Sequence, residues 1–267
     1  MYRQRTTVTD GLVMEPQTVD RLMEAVTSAA RIAARPAGPT PWYVDPVSDG
    51  VAIRMTVRRW TEAPSAEAVL ARVGCGTALR AASLAVVGLG RRPVTTVSSE
   101  PGVLAVLRAG EYREPCREEV AMLDGLQRFG VPRRLDPAVR EAGLLPWLRR
   151  AAEREGVWAR NAGRIDATGL GPAWSDGRAV PEHPSTLAMG ADGPPPYADV
   201  RLGRAIEAVR LTAAALGWWT RIAAAPVDRS CLHDALGGSA GAVLGTAHRG
   251  TTLALLQVSP ALAFVIG

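Results

Sequence analysis

The sequence predicts an α+β fold made of two equivalent halves in one chain, and three observations predict it. A stretch occurs twice, 127 residues apart: Gly76 to Gly90 lies over Gly203 to Gly217. Six of the fifteen positions are identical: both terminal glycines, Ala78/Ala205, Ala81/Ala208, Leu84/Leu211 and Leu89/Leu216. In both copies the apolar and small residues recur at helical spacing. Both stop at Leu-Gly, where glycine takes the left-handed conformation that ends a helix. Finally, short alternating stretches such as Val51 to Val57 read as strands, interspersed with helices in a mixed order. Two copies make a doubled body, not a solenoid. The expected organisation is one domain over 1–267, with halves at about 16–110 and 113–259 and helices around mixed or antiparallel sheets.

Taken in order, Pro16 to Arg35 reads as an amphipathic helix with Val19, Leu22, Met23, Val26, Ala30 and Ala33 on one face and Pro16 near its first turn. Pro36 stops it, and Pro36 to Trp42 is a stiff connection. A strand is expected over Val51 to Val57. The first repeat helix follows, then a strand over Val94 to Val97 and a short helix over Val103 to Leu107. In the second half Glu118 to Phe129 reads as a helix. Asp136-Pro137 starts another that runs to about Glu155, with Pro146 as a kink or break. Gly190 to Tyr197 is a loop, either a connector or a lid. The second repeat helix follows, and Leu253 to Val258 closes the chain as a buried strand.

Composition narrows the function classes. The 47% hydrophobic content supports a substantial core and excludes disorder. The chain contains no Lys, so all 31 positive charges are Arg, scattered among Asp and Glu with no run longer than two. A net charge of +5 without a basic stripe argues against a nucleic-acid partner; a bound phosphate or a solvated surface accounts for the Arg content better. Three separated cysteines, Cys75, Cys116 and Cys231, point to reduced thiols. No signal-peptide core is evident at the N-terminus and no uninterrupted apolar segment reads as a membrane span, so a cytoplasmic location is expected.

Three local patterns invite chemistry and lose to plainer readings. Gly88-Leu89-Gly90-Arg91-Arg92-Pro93 imitates a dinucleotide fingerprint, but Pro93 stands in the third glycine position and helical sequence precedes it. Gly237 to Gly241 lacks the Lys of a phosphate-binding loop and reads as a turn. Cys231, His233 and Asp234 have no second ligand pair at metal-site spacing. A helix starting at Asp228, with a buried Cys231 and a surface His233, explains them, and no metal site is expected.

The second repeat in its setting, Asp192, Tyr197 and Leu202 to Gly217, resembles the single-chain, Acg-type branch of the nitroreductase superfamily. That branch carries Gly-x-Ala-Leu-Glu-x-Val-x-Leu-Thr-Ala ending in Gly. Ala34 to Trp42, Cys75 to Gly90 and Thr251 to Ser259 match further segments in the expected order, so the resemblance spans residues 18–259. It implies a nitroreductase-like fold whose halves imitate the two subunits of a homodimer. It also implies an FMN-dependent oxidoreductase that takes hydride from NAD(P)H and reduces a quinone, nitroaromatic or related small-molecule acceptor. Flavin carries the hydride chemistry in such a protein, which supplies anchoring, orientation and exclusion of water. The resemblance places flavin contacts at Arg31, Arg35, Trp42, Arg128 and Gly217, the last through its backbone; Trp218 and Trp219 either stack on the ring or pack in the core. No acid or base is implied, no membrane or nucleic acid is involved, and a monomer or homodimer is expected.

The chain also departs from the family pattern. Arg35 to Thr40 lacks the Ser, His, Asn and Gln that suit flavin. Only Arg128 matches the phosphate motif, near Asp124 to Arg128, and the last strand has Gln257-Val258-Ser259 in place of Arg-x-Gly. Arg31, Arg35 or the Arg133-Arg134 pair would have to compensate. These departures support an alternative: a catalytically degenerate relative with a flavin-storing, regulatory or partner-binding role. A biosynthetic flavin dehydrogenase with a wider cleft is a third reading.

Overall fold

The computed structural model describes residues 16–34, 40–56, 65–98, 102–127, 141–165, 170, 174, 185–227, 229–245 and 251–260. The first half runs α1 (Pro16–Ile32), β1 (Trp42–Val47), β2 (Gly50–Met55), α2 (Ala66–Gly88), β3 (Arg91–Val97) and β4 (Val103–Tyr112). The second runs α3 (Arg117–Gln127), α4 (Glu141–Glu153), β5 (Trp158–Gly163), β6 (Ser185–Ala191), α5 (Tyr197–Ala215) and β7 (Trp218–Val227). It continues through α6 (Arg229–Leu236), a 3-10 turn (Gly237–Ser239), α7 (Ala240–Leu244) and β8 (Thr252–Pro260).

Each half holds a four-stranded sheet, ordered β1-β2-β4-β3 in one and β5-β6-β8-β7 in the other. All neighbouring strands are antiparallel, which removes the mixed-sheet option within an α+β class. In both halves the long repeat helix lies between the second and third strands. The halves differ in the last connection, where five residues separate β3 from β4 but α6 and α7 intervene between β7 and β8.

The repeat helices form where the sequence places them. Ser65 caps α2, its Oγ accepting from the Ala68 N–H at 3.1 Å. Gly90 (φ +71) and Gly217 (φ +77) end α2 and α5 at equivalent positions. The Gly90 N–H donates to the Val87 carbonyl at 2.9 Å, and the Gly217 N–H to the Ala214 carbonyl at 3.1 Å. The two helices cross at their aligned glycines. A Cβ on Gly76 would strike the Val200 carbonyl oxygen, and one on Gly203 would strike the Val73 carbonyl oxygen. Val73 and Val200 are themselves 127 residues apart, so the contact is reciprocal.

Around this crossing the core falls into three clusters. One joins α1, α2 and the first sheet; a second joins α4, α5 and the second sheet. Alternation along β8 sends Ala254, Leu256 and Val258 to the second cluster and Leu253 and Leu255 to a third, under α6 and α7. α2 is long and apolar enough to cross a membrane by length and composition, contrary to the sequence expectation, but 78% of its most apolar window is buried inside the protein. Its apolar surface serves the core.

A buried ion pair ties the crossing together. Arg72 Nε of α2 donates to Asp199 Oδ2 of α5 at 2.6 Å, with the side chains 2% and 1% exposed. Thr252 of β8 donates to the other Asp199 oxygen. Glu207 of α5, fully buried, accepts from Arg210 Nη1 at 2.7 Å and from the Ala34 N–H at 3.2 Å, so the end of α1 is anchored on the opposite half. The Thr77 hydroxyl of α2 donates to the Ala34 carbonyl.

Several expectations need correction. Val103 to Leu107 is not a helix; it opens β4, which pairs with both β2 and β3. As an inner strand buried on both faces, it shows an apolar run without alternation, which periodicity cannot tell from a helix. β1, β5, β6 and β7 went unrecognised in the sequence. Pro146 lies inside α4 without ending it, and the expected start at Asp136-Pro137 lies outside the described residues. Gly190 and Ala191 complete β6, so the loop shrinks to a connector in which Asp192 accepts from Thr251 and Arg201.

Replacing Gly203 by Ala is expected to cost about 1–3 kcal/mol, because the added methyl must push apart a pair of packed helices; a chemical-denaturation midpoint equal to wild type would refute the crossing. Asp199→Ala should cost about 3–5 kcal/mol by removing the carboxylate that the buried Arg72 Nε meets. The double variant Arg72→Met, Asp199→Leu should recover most of that loss in the same titration.

Candidate functional site

Of the residues assigned to flavin by the resemblance, Arg31, Trp42 and Gly217 are described. Arg31, in the last turn of α1, is exposed. Trp42 begins β1 and is 7% exposed, packed into the first core cluster. Its indole Nε1 is buried with no hydrogen-bond partner among the described residues. Gly217 is buried at the turn from α5 into β7. Arg35, Arg128, Arg133 and Arg134 lie outside the described residues.

The segment expected to carry the phosphate motif is also occupied by packing. Asp124 to Gln127 are helical, and a Cβ on Gly125 would come within 2.7 Å of the Leu211 carbonyl oxygen of α5. This backbone is committed to a helix crossing and offers no free N–H cradle. Trp218 is a core residue, 6% exposed, and half-buried Trp219 pairs with Ser259 across the sheet. Cys231 is exposed, contrary to expectation, as are His233 and Asp234 beside it on α6. Asp228 lies outside the described residues. Gly88 to Pro93 runs from helix into strand, the reverse of a dinucleotide turn.

Two cavities reach across both halves. One, of about 530 Å³, lies between the N-terminal turns of α2 (Ala66, Glu67, Val69, Leu70) and the β7 and β8 residues Pro226 and Leu253. Among the described residues no Arg lines it, and none offers a cationic partner for a phosphate. The other, of about 480 Å³, is enclosed by α2, α3, α4 and α5. Arg80, Arg117, Arg150 and Arg154 line it, with Glu118 as the single carboxylate. Arg31, Trp42 and Gly217 line neither.

The helices fix the second cavity's polar groups by simple spacing. Trp147, Arg150 and Arg154 fall at i, i+3 and i+7 along α4 and the turn after it, hence on one side. Arg150 and Arg154 share Glu118 of α3, at 3.8 and 3.0 Å. Hydrogen bonds from its own backbone N–H and from Cys116, together with Arg154, hold the Glu118 carboxyl below its ordinary value. Arg80, on α2, is the most deeply placed, its side chain 13% exposed. Its Nε stands 3.2 Å from Glu155 Oε1, within ion-pair distance but without hydrogen-bond geometry. Glu155 gives its other oxygen to Arg204 at 2.7 Å. Burial lowers the Arg80 pKa while Glu155 opposes the shift, and the group remains a cation.

Sequence reading passed over Arg80, Arg117, Trp147, Arg150 and Arg154. The one available signal was an aromatic and two cations on one side of α4, which also describes an ordinary solvated helix face. No protein-family model matches the chain, and no curated protein matches it.

The edge of this cavity depends on the start of α3. The Cys116 N–H donates to Glu119 Oε2 at 2.9 Å, the backward arm of a capping box, and Arg113 Nη2 meets Glu119 Oε1 at 2.7 Å. Partial burial pushes the Glu119 carboxyl up, but Arg113 and the Cys116 N–H outweigh it and the net shift is downward. A depressed carboxylate contributes stability that is present above its unfolded pKa of about 4.3 and lost as pH falls through the folded value. Glu119→Gln should therefore cost about 1 kcal/mol at pH 7, and the gap to wild type should close below about pH 4. A gap independent of pH, followed by thermal melts, would refute the charge assignment.

Proposed function

We propose that this chain is a nitroreductase-like protein in which two halves of one polypeptide stand for the two subunits of a dimer. The observation behind this reading is the reciprocal crossing at Gly76 and Gly203, set within two sheets of the same strand order. In a true homodimer, residues on the two-fold axis would meet their own copies. Here the pairs separated by 127 residues meet: Gly76 with Gly203, and Arg72 with Asp199. The second pair is informative because identical charges at such a position would repel. Within one chain the two positions are free to differ, and they hold opposite charges.

The activity that follows from this build is that of an FMN-dependent NAD(P)H oxidoreductase acting on a quinone, nitroaromatic or related acceptor. A second reading, the catalytically degenerate relative with a storage, regulatory or partner-binding role, has its own support. Trp42 and Gly217 are committed to core and turn, Arg31 faces solvent, and none of the three lines either cavity. No catalytic step is assigned to these three residues.

An absorption spectrum after FMN titration and removal of free flavin separates the two readings. The oxidoreductase reading expects near-stoichiometric flavin absorbance, bleached by NAD(P)H and restored by a quinone or nitroaromatic. Folded, colourless protein that retains no FMN would overturn it in favour of the second.

A further inference from the structure

The four-helix cavity plays no role in the flavin reading, and its chemistry is specific. Its lining divides into a cationic set and an apolar set. Among the described lining residues four guanidiniums accompany one carboxylate, Glu118, which Arg150 and Arg154 already share; Glu155, outside the lining, faces Arg80. Arg117 makes no ion pair or hydrogen bond among the described residues. Arg80 is short of acceptors: its Nη2 approaches only the thioether of Met122, at 3.4 Å, while Glu155 is divided between it and Arg204. A guanidinium carries five N–H donors, so a largely buried one with so few partners favours an incoming anion.

The apolar set is Ala121, Met122, Ala151, Ala208, Ala215 and Leu216. Beside it Trp147 keeps 49% of its surface exposed, although an indole normally gains by burial. An inorganic anion would satisfy the arginines and leave these walls and the indole in water. A neutral ring would do the reverse. The volume of about 480 Å³ lies in the range of small-molecule pockets.

We propose that this cavity is a binding site for a small aromatic anion, its carboxylate or phosphate held by Arg80, Arg150 and Arg154 and its ring packed against Trp147 and Met122. Carboxylate and phosphate offer the same charge-assisted acceptors, and the arms of the test separate them. The site draws residues from both halves and stands whether or not the chain retains FMN.

The test is calorimetric titration of the full chain with 2-naphthoate, 2-naphthyl phosphate, the uncharged 2-naphthalenemethanol and inorganic phosphate. One of the two naphthyl anions should bind saturably, and the alcohol and inorganic phosphate each about ten-fold or more weakly. Trp147 fluorescence should change on binding, and Trp147→Ala should weaken the anion several-fold. Arg80→Gln should also weaken it, but removing a buried partner of Glu155 endangers folding. Arg150→Gln and Arg154→Gln, at exposed positions, therefore provide the decisive variants, with exposed Arg91→Gln on β3 as the control. Absence of saturable binding by both anions, equal affinity for the alcohol, or equal weakening by Arg91→Gln would each overturn the proposal.

Discussion

The contact between α2 and α5 at Gly76 and Gly203 constrains everything built around it. Each helix brings its glycine against the other's backbone, Gly76 at the Val200 carbonyl and Gly203 at the Val73 carbonyl, so the axes approach more closely than any side chain would permit. Close backbone approach leaves little room for adjustment, since packed interiors yield poorly to even one added methylene. The distance between the two sheets is set by this helix pair, because each helix packs its far side on its own sheet. A third glycine, Gly125, applies the same device to α3 against α5. Small residues in these helices are therefore positional requirements, and the alanine-rich repeat is what such a crossing demands.

Joining two halves in one chain changes what can be placed at their junction. Arg72 and Asp199 occupy equivalent positions and form a buried ion pair; Arg80 and Glu207 are likewise equivalent and attract across the junction. A buried ion pair seldom adds much net stability, because desolvating both charges offsets their attraction. Its better-supported effect is specificity: a slipped register would leave Asp199, Arg72 and the Thr252 hydroxyl without partners in an apolar surround. The apolar crossing supplies proximity and the charges fix the register. Such a division of labour is open only to a chain whose halves can differ in sequence.

How much of this could be read in the sequence follows from how local each signal is. Both repeat helices, their glycine stops and α1 were legible because helix periodicity and left-handed glycine are local properties. Of the strands, β2, β3 and β8 were legible and the other five were not. Trp218 to Val227 opens on strand formers, Trp218, Trp219, Thr220 and Ile222, but the alanines from Ala223 to Ala225 and Pro226 obscure the pattern, and pairing with β8 fixes the conformation. β4 was misread because burial on both faces erases alternation. The candidate site fared worse still. Trp42 and Gly217 were read as flavin contacts; the structure shows Trp42 packed in the first core cluster and Gly217 at the turn that ends α5. The arginines of the four-helix cavity are spread over separate elements, and no linear pattern joins Arg80 to Arg154.

The same geometry bears on what the junction can bind. The helix pair fills the centre of the molecule, so open space shared by the halves is displaced to its margins. One cavity lies at the N-terminal turns of α2 and the other beside the C-terminal half of α5. The first presents Glu67 and apolar walls, the second a surplus of guanidiniums over carboxylates. A ligand with a large apolar body and no charge would cover the apolar walls of the second but leave its arginines without an acceptor, and among the described residues an anion meets no cation in the first. Charge therefore sorts ligands between two cavities that differ little in volume. This sorting persists under either reading of the protein's activity, because it depends on Arg80, Arg150 and Arg154 and on no bound cofactor. If flavin is retained, its phosphate needs a cation, and of the described residues assigned to flavin Arg31 alone carries a charge. If it is not, the arginine-lined cavity is the place where the described surface still offers an anion a matched set of donors.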